Sequence, residues 1–252
     1  MRSYRFLPWV TAIFVTALIA SNILAVKLIQ VGPFQLPAAV VIFPISYIFG
    51  DVLTEVYGYA RARQVIWIGF ACNLFAVLAI YVAGRLPASP GWSLPGFATP
   101  AAAQGAFDAL LGFTPLILVA SVTAYLVGEF INSFVMARLK MATRGRWLWV
   151  RTIGSTLVAQ VADTGIFIGL LVVGGLFPAS LALAIIASQW LVKVVYEVLA
   201  TPITYQVVNF LKRAENEDYF DWETDFNPLS LQESKPAKPP AQATGLPGMD
   251  SS

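Results

Sequence analysis

Seven ionisable side chains interrupt otherwise apolar stretches of this sequence: Lys27, Asp51, Glu55, Glu129, Asp163, Lys193 and Glu197. Their spacing is helical. Tyr47, Asp51 and Glu55 recur every four residues; Tyr125, Glu129 and Asn132 follow at four and three; Gln160, Asp163 and Thr164 cluster; Gln189, Lys193 and Glu197 lie four apart with Tyr196 alongside. Each set falls on one face of a helix. A carboxylate at membrane depth costs about 2.5–3.5 kcal/mol on insertion scales, so such faces must look at protein or water rather than lipid. Taken singly, each group has a structural account: Lys193 pairs with Glu197 or Asp163, Glu55 with Arg61 or Arg63, and Lys27, near a helix end, snorkels. Five acids and two bases converging on one layer exceed what packing requires and point to a polar cavity. Asn22, Asn73, Asn132, Gln160 and Gln189 add neutral donors and acceptors, a mixture suited to a flat polar heterocycle rather than a bare ion. Interhelical hydrogen bonding is the structural alternative for each amide.

The background of these groups sets the medium. Hydrophobic residues make up 58% of the chain and charged residues 12%, with a mean hydropathy of +0.70, which is the composition of an integral membrane protein. Histidine is absent and cysteine occurs once, at Cys72. That removes the commonest catalytic base and metal ligand and any disulfide framework within the chain, and argues against hydrolase, zinc and haem chemistry. No metal or cofactor is expected. There is no basic patch for nucleic acid and no P-loop. Asp163-Thr164-Gly165 spells an aspartic-protease tripeptide, but inside an apolar helix rather than a strand and turn, so chance accounts for it.

The elements that must position these groups are six apolar helices. Phe6 to Ile29 reaches the ~20 residues a spanning helix needs and is too long for a signal-peptide core. Gly32, Pro33 and Pro37 mark a turn; a second helix starts at about Leu36 with Pro44 inside it, where a kink would free carbonyls to line a cavity. A third runs from about Gln64 to Tyr81. Gly84 to Thr114 reads as a long connection with a short interfacial helix at Phe107 to Phe113. The fourth covers Pro115 to Arg138. A basic connection through Arg138, Lys140, Arg144, Arg146 and Arg151 leads to the fifth, carrying Gln160, Asp163 and Thr164, and the sixth lies within Ser180 to Leu211.

Lysine and arginine are enriched on the cytoplasmic side of bacterial membrane proteins, and with the N-terminus inside, 13 of the 16 fall in cytoplasmic segments. Arg85 alone lies outside, and Lys27 and Lys193 are within helices. The expectation is an all-α membrane protein with six transmembrane helices, both termini cytoplasmic, and a disordered C-terminal tail. Residues 1–211 form the transmembrane domain, 212–228 an acidic cytoplasmic segment, and 229–252, rich in Pro, Ala and Gly, the tail.

Several of these stretches carry a family resemblance. SNILAVK in the first helix, FPISYIFGDVLTEVYGYARAR across the second, QVADTGIF in the fifth, then TPITY and the acidic DYFDWETDFNP resemble the queuosine precursor transporter family, also catalogued as putative vitamin uptake transporters, over about Val10 to Pro228. The resemblance implies a transporter without enzymatic activity, an inner-membrane importer of 7-deazaguanine bases, 7-cyano-7-deazaguanine or its aminomethyl relative, for salvage into the tRNA nucleoside queuosine. The residues expected to bind such a base are Asn22, Tyr47, Asp51, Glu55, Asn73, Tyr125, Glu129, Asn132, Gln160, Asp163, Gln189, Lys193 and Tyr196, with Asp51 or Glu55 gripping its N–H edge and Tyr47, Tyr125, Phe167 or Tyr196 stacking on its face. The competing class is the substrate-capture subunit of an energy-coupling-factor vitamin transporter, also small, six-helical and without its own ATPase.

Overall fold

The computed structural model describes residues 4–24, 27–31, 34–112, 115–175 and 178–230. Helix α1 (Leu7–Leu24) leads into a hairpin of strands β1 (Leu28–Val31) and β2 (Phe34–Pro37), then a 3-10 turn at Ala38–Val41. Helices α2 (Phe43–Tyr57), α3 (Tyr59–Arg85), α4 (Pro100–Leu111), α5 (Pro115–Ala142), α6 (Leu148–Val173) and α7 (Ala179–Glu215) complete the described chain. Among the described residues the protein is all-helical apart from that hairpin and an isolated bridge between Leu94 and Phe97; the antiparallel register of the hairpin pairs Leu28 with Pro37 and Val31 with Phe34.

Among the described residues five helices, α1, α3, α5 from Val119, α6 and α7, are long and apolar enough to cross a membrane. Their outer faces carry bare side chains such as Trp9, Phe75, Leu183 and Leu199, an apolar exterior that in water would be an aggregation surface and in a bilayer is the solvated one. Helix α2, with 15 residues, is shorter than a usual span and sits at the centre, packed against α1, α3, α5 and α7. Phe14, Val52, Leu53, Val56, Val65, Met136, Val208 and Leu211 form the apolar core around it.

Several boundaries differ from those expected. Helix α1 stops at Leu24 rather than Ile29, and Leu28 and Ile29, apolar enough to read as its continuation, begin a strand. Lys27 is exposed between the two. Helix α2 begins at Phe43 rather than near Leu36, so Pro44 lies in its first turn, where no intrahelical N–H is required, and introduces no kink. The break falls instead at Gly58, with φ +83°; a Cβ there would sit 2.2 Å from the Tyr219 ring, so both the backbone and the close neighbour require glycine. In consequence Arg61 and Arg63 belong to the first turns of α3, not to a connecting loop.

The long connection holds α4, earlier and longer than the Phe107 to Phe113 segment, because Thr99 caps it by accepting from the Ala102 N–H at 3.2 Å and Pro100 follows as first residue. Lys140 and Arg151 are buried on α5 and α6 rather than solvated in a basic loop. Helix α7 runs to Glu215, 37 residues or about 55 Å at ~1.5 Å per residue, longer than a bilayer core is thick. Pro202 inside it removes one N–H from the ladder. The Glu215 carboxylate caps the start of α1, accepting from Phe6 N at 2.6 Å and Arg5 N at 3.1 Å. Residues 216–230 fold back over the α2–α3 corner; the tail expected from 229 lies outside the described residues beyond Ser230.

Candidate functional site

Helices α1, α2, α5, α6 and α7 enclose a cavity of about 630 Å³, within the size range of small-molecule sites. Of the residues expected to bind, Asn22, Tyr47, Asp51, Tyr125, Glu129, Asn132, Gln160, Asp163, Gln189, Lys193 and Tyr196 all line it. The helical stripes explain why: each presents a polar face inward, and five such faces close on one another.

Two of the expected residues stand elsewhere. Asn73 is on α3 behind the wall, where its Oδ1 accepts from Asn22 Nδ2 at 2.8 Å and orients that cavity amide. Glu55 is one turn beyond Asp51, fully buried, and committed to cations from three helices. Arg151 donates through Nε at 3.0 Å and Nη2 at 2.8 Å, Lys212 donates at 2.6 Å, and Lys140 lies 3.6 Å away. The expected partners Arg61 and Arg63 are not the ones used: Arg61 bonds Gln64, and Arg63 donates to the Asp225 and Asn227 carbonyls at 2.8 and 2.7 Å. Glu55 is therefore a structural hub rather than a cavity wall.

Inside the cavity, Lys193 donates to Asp163 Oδ2 at 2.5 Å and to Thr164 Oγ1 at 3.3 Å, joining α7 to α6. Gly128 permits the approach of α5 to the same place, since a Cβ there would meet the Asp163 Cβ at 2.9 Å. Asn132 Nδ2 donates to Asp51 Oδ1 at 2.9 Å, and Gln160 hydrogen-bonds the Tyr47 side chain. With those bonds made, Asn132 Oδ1 and Gln160 Oε1 are buried acceptors with no donor among the described residues. Glu129 lines the cavity between them and makes no hydrogen bond or ion pair among the described residues. Three residues of the cavity lining thus hold acceptors that no described donor satisfies. Buried acceptors left unpaired cost about 1–3 kcal/mol each, more when charged, so they mark where a donor belongs.

Sequence reasoning did not single out Ser46, Ser121, Thr156 or Ser188, which also line the space. Thr156 lies one turn before Gln160, so extending that stripe backwards finds it; the serines are too common in membrane helices to stand out. Aromatic walls come from Tyr47, Tyr125, Phe167 and Tyr196. Among the described residues no group of three or more His, Cys, Asp or Glu is disposed to hold a metal. The arrangement offers hydroxyls, amides, carboxylates, one ion pair and aromatic rings, a lining suited to recognising a small polar molecule.

The segment after α7 packs over the Glu55 cluster. Lys140 and Lys212 both reach Asp218, at 2.6 and 2.8 Å; burial works against the charge of Asp218, but the two lysines outweigh it and hold the carboxyl below its usual range. Burial pushes the Asp221 carboxyl up, although it accepts from Tyr59 N at 3.1 Å and Thr224 Oγ1 at 2.7 Å. Trp67 Nε1 donates to the Pro228 carbonyl at 2.9 Å. The segment is a lid of defined structure over the Glu55 hub.

Residues 37–207 match the profile of the family described as "Putative vitamin uptake transporter". A Bacillus subtilis (strain 168) protein named "Probable queuosine precursor transporter" is 28% identical over 200 residues, 79% of this chain and 83% of its own length. The "Queuosine precursor transporter" of Escherichia coli (strain K12) is 28% identical over 161 residues, 64% of this chain and 66% of its own. No solved structure matches the chain.

Proposed function

We propose, from the premise that the chain belongs to the putative vitamin uptake transporter family and is a multi-pass membrane transporter, that it imports queuosine precursors, 7-cyano-7-deazaguanine or 7-aminomethyl-7-deazaguanine, across a bacterial inner membrane. The proposal includes six spans, α2 completing the five longer ones, with both termini and residues 212–228 on the cytoplasmic side. The names of the two relatives support the substrate class, and the lysine and arginine distribution supports the orientation.

One observation carries the reading of the site: Glu129 lines the cavity with no hydrogen bond or ion pair among the described residues, alongside Asn132 and Gln160, whose buried side-chain oxygens lack a donor there. A guanine-like edge presents adjacent N–H groups. The Glu129 carboxylate accepts two of them in parallel, in charge-assisted bonds worth about 1.5–3 kcal/mol each where water is excluded. Asp51 serves this edge indirectly, by holding the Asn132 amide so that its oxygen remains available. The rings of Tyr47, Tyr125, Phe167 and Tyr196 supply stacking surface for the flat bicycle. The test is uptake of labelled deazaguanine by cells that cannot synthesise it, with and without this chain. Accumulation that requires the chain supports the proposal; equal uptake in both strains refutes it.

A further inference from the structure

We propose that Asp51 and Glu197 are a proton-binding pair that carries one proton inward with each substrate molecule, a coupling that rests on the reading of Glu129 as the substrate carboxylate. Both residues are 1% exposed. They stand on α2 and α7, which pack against each other, and the two carboxyl groups interact, as does the Thr156 hydroxyl of α6 with Glu197. Yet Asp51 Oδ2 and both Glu197 oxygens complete no hydrogen bond among the described residues. Two carboxylates are both acceptors, so a bond between them exists only when one carries a proton.

Among the described residues no cation stands in for that proton. Lys193, one turn before Glu197, is taken by Asp163 and Thr164. Arg151, Lys212 and Lys140 are taken by Glu55 and Asp218. The other groups facing Asp51 are Glu55 on its own helix and Glu129 and Asn132 on α5; α1 carries no charged side chain. As packing devices, two facing acids in an apolar bundle only cost free energy; as one proton site they form a hydrogen bond.

The place of the pair connects it to the substrate. Asp51 lines the cavity and Glu197 does not, so a proton arriving through cavity water meets Asp51 first. Glu129 Oε2 lies 3.4 Å from where a Cβ on Gly50 would be, which sets it against the backbone immediately before Asp51. Loading adds one proton from external water to the pair, taking its charge from −2 to −1, and release returns that proton to cytoplasmic water; only an O–H bond forms and breaks. With one negative charge removed beside it, Glu129 holds its own charge and accepts the substrate N–H groups more strongly. Proton and substrate therefore favour each other's binding, reciprocally.

The experiment uses the full chain in proteoliposomes with the membrane potential clamped and a pH-sensitive dye inside. One proton moved down a difference of one pH unit balances about a tenfold concentration ratio, so wild-type protein should accumulate labelled deazaguanine up to about tenfold under an inward proton gradient, with acidification of the lumen when substrate is added. Glu197→Gln should keep gradient-free counterflow, which shows that it is folded, and lose both accumulation and acidification. Equal gradient-driven accumulation in Glu197→Gln and wild type overturns the proposal. So does wild-type counterflow without any substrate-dependent acidification, a result that needs no variant and leaves the substrate reading intact. Absence of wild-type counterflow refutes the deazaguanine reading instead, and the coupling falls with it.

Discussion

Glu55→Gln should cost more stability than any other single change to an acid of this protein, and the structure shows which partner is responsible. Glu55 is 0% exposed and compensates Arg151, Lys212 and, more distantly, Lys140. The two lysines keep a second carboxylate in Asp218. Arg151 does not: its remaining acceptors are Thr143 Oγ1 and the Arg146 carbonyl, both neutral. The amide thus leaves chiefly one uncompensated guanidinium, itself 1% exposed. Removing one partner of a buried ion pair costs about 3–5 kcal/mol, and a chain of this size loses about 2–4 °C of Tm per kcal/mol, which places the expected fall on the order of 10 °C. The assay is thermal unfolding of detergent-purified protein followed by tryptophan fluorescence. Glu55→Gln combined with Arg151→Met should recover part of the loss, because the stranded charge goes with it. A Glu55→Gln protein that melts with the wild type, or a double variant less stable than the single, refutes the hub.

Glu129→Gln should leave Tm within about 1 °C, since no protein partner is lost, yet weaken deazaguanine capture at least tenfold, because one acceptor becomes a donor facing a donor; unchanged affinity by equilibrium binding counts against the proposed edge recognition. A cysteine introduced at Ser93 should react with an impermeant thiol reagent from outside intact cells while one at Thr143 stays silent, and the reverse pattern overturns the orientation. The lowered carboxyl of Asp218 stabilises the folded-back segment above the unfolded-state value of about 3.9, and that contribution is lost as pH falls through the lower folded-state value. Limited proteolysis of residues 216–230 should therefore accelerate in strong acid, and in Asp218→Asn at neutral pH.

The stripes of polar residues were legible because helical periodicity fixes which side chains share a face, and a face that cannot look at lipid must look inward. Periodicity does not say where along the face a cavity ends. Asp51 and Glu55 are indistinguishable by spacing, but the partners that take Glu55 out of the cavity, Arg151 and Lys212, are 96 and 157 residues away in the chain. Glu197 shares its stripe with Gln189 and Lys193, which line the cavity, and yet turns toward Asp51 behind it. The helix break at Gly58 was hidden for a similar reason: the following Tyr59, Ala60 and Arg61 are acceptable in a helix, and the Tyr219 ring that demands the glycine comes from the far end of the chain. The hairpin at Leu28–Val31 escaped notice because a strand of four residues, three of them apolar, is too short to show a period of its own.

The setting of α2 also bears on how the protein is made. Its 15 residues fall short of the ~17–25 that partition stably on their own, and it carries two acids, each opposing insertion by about 2.5–3.5 kcal/mol. The groups that neutralise Glu55 are on α5, α6 and α7, all synthesised after it, and the last of them, Lys212, emerges when four-fifths of the chain has left the ribosome. During biogenesis α2 thus depends on translocon or chaperone shelter until the late helices arrive. A ribosome arrested before α6 holds an N-terminal half in which Glu55 lacks both Arg151 and Lys212, so its central helix carries an acid with neither cation to neutralise it.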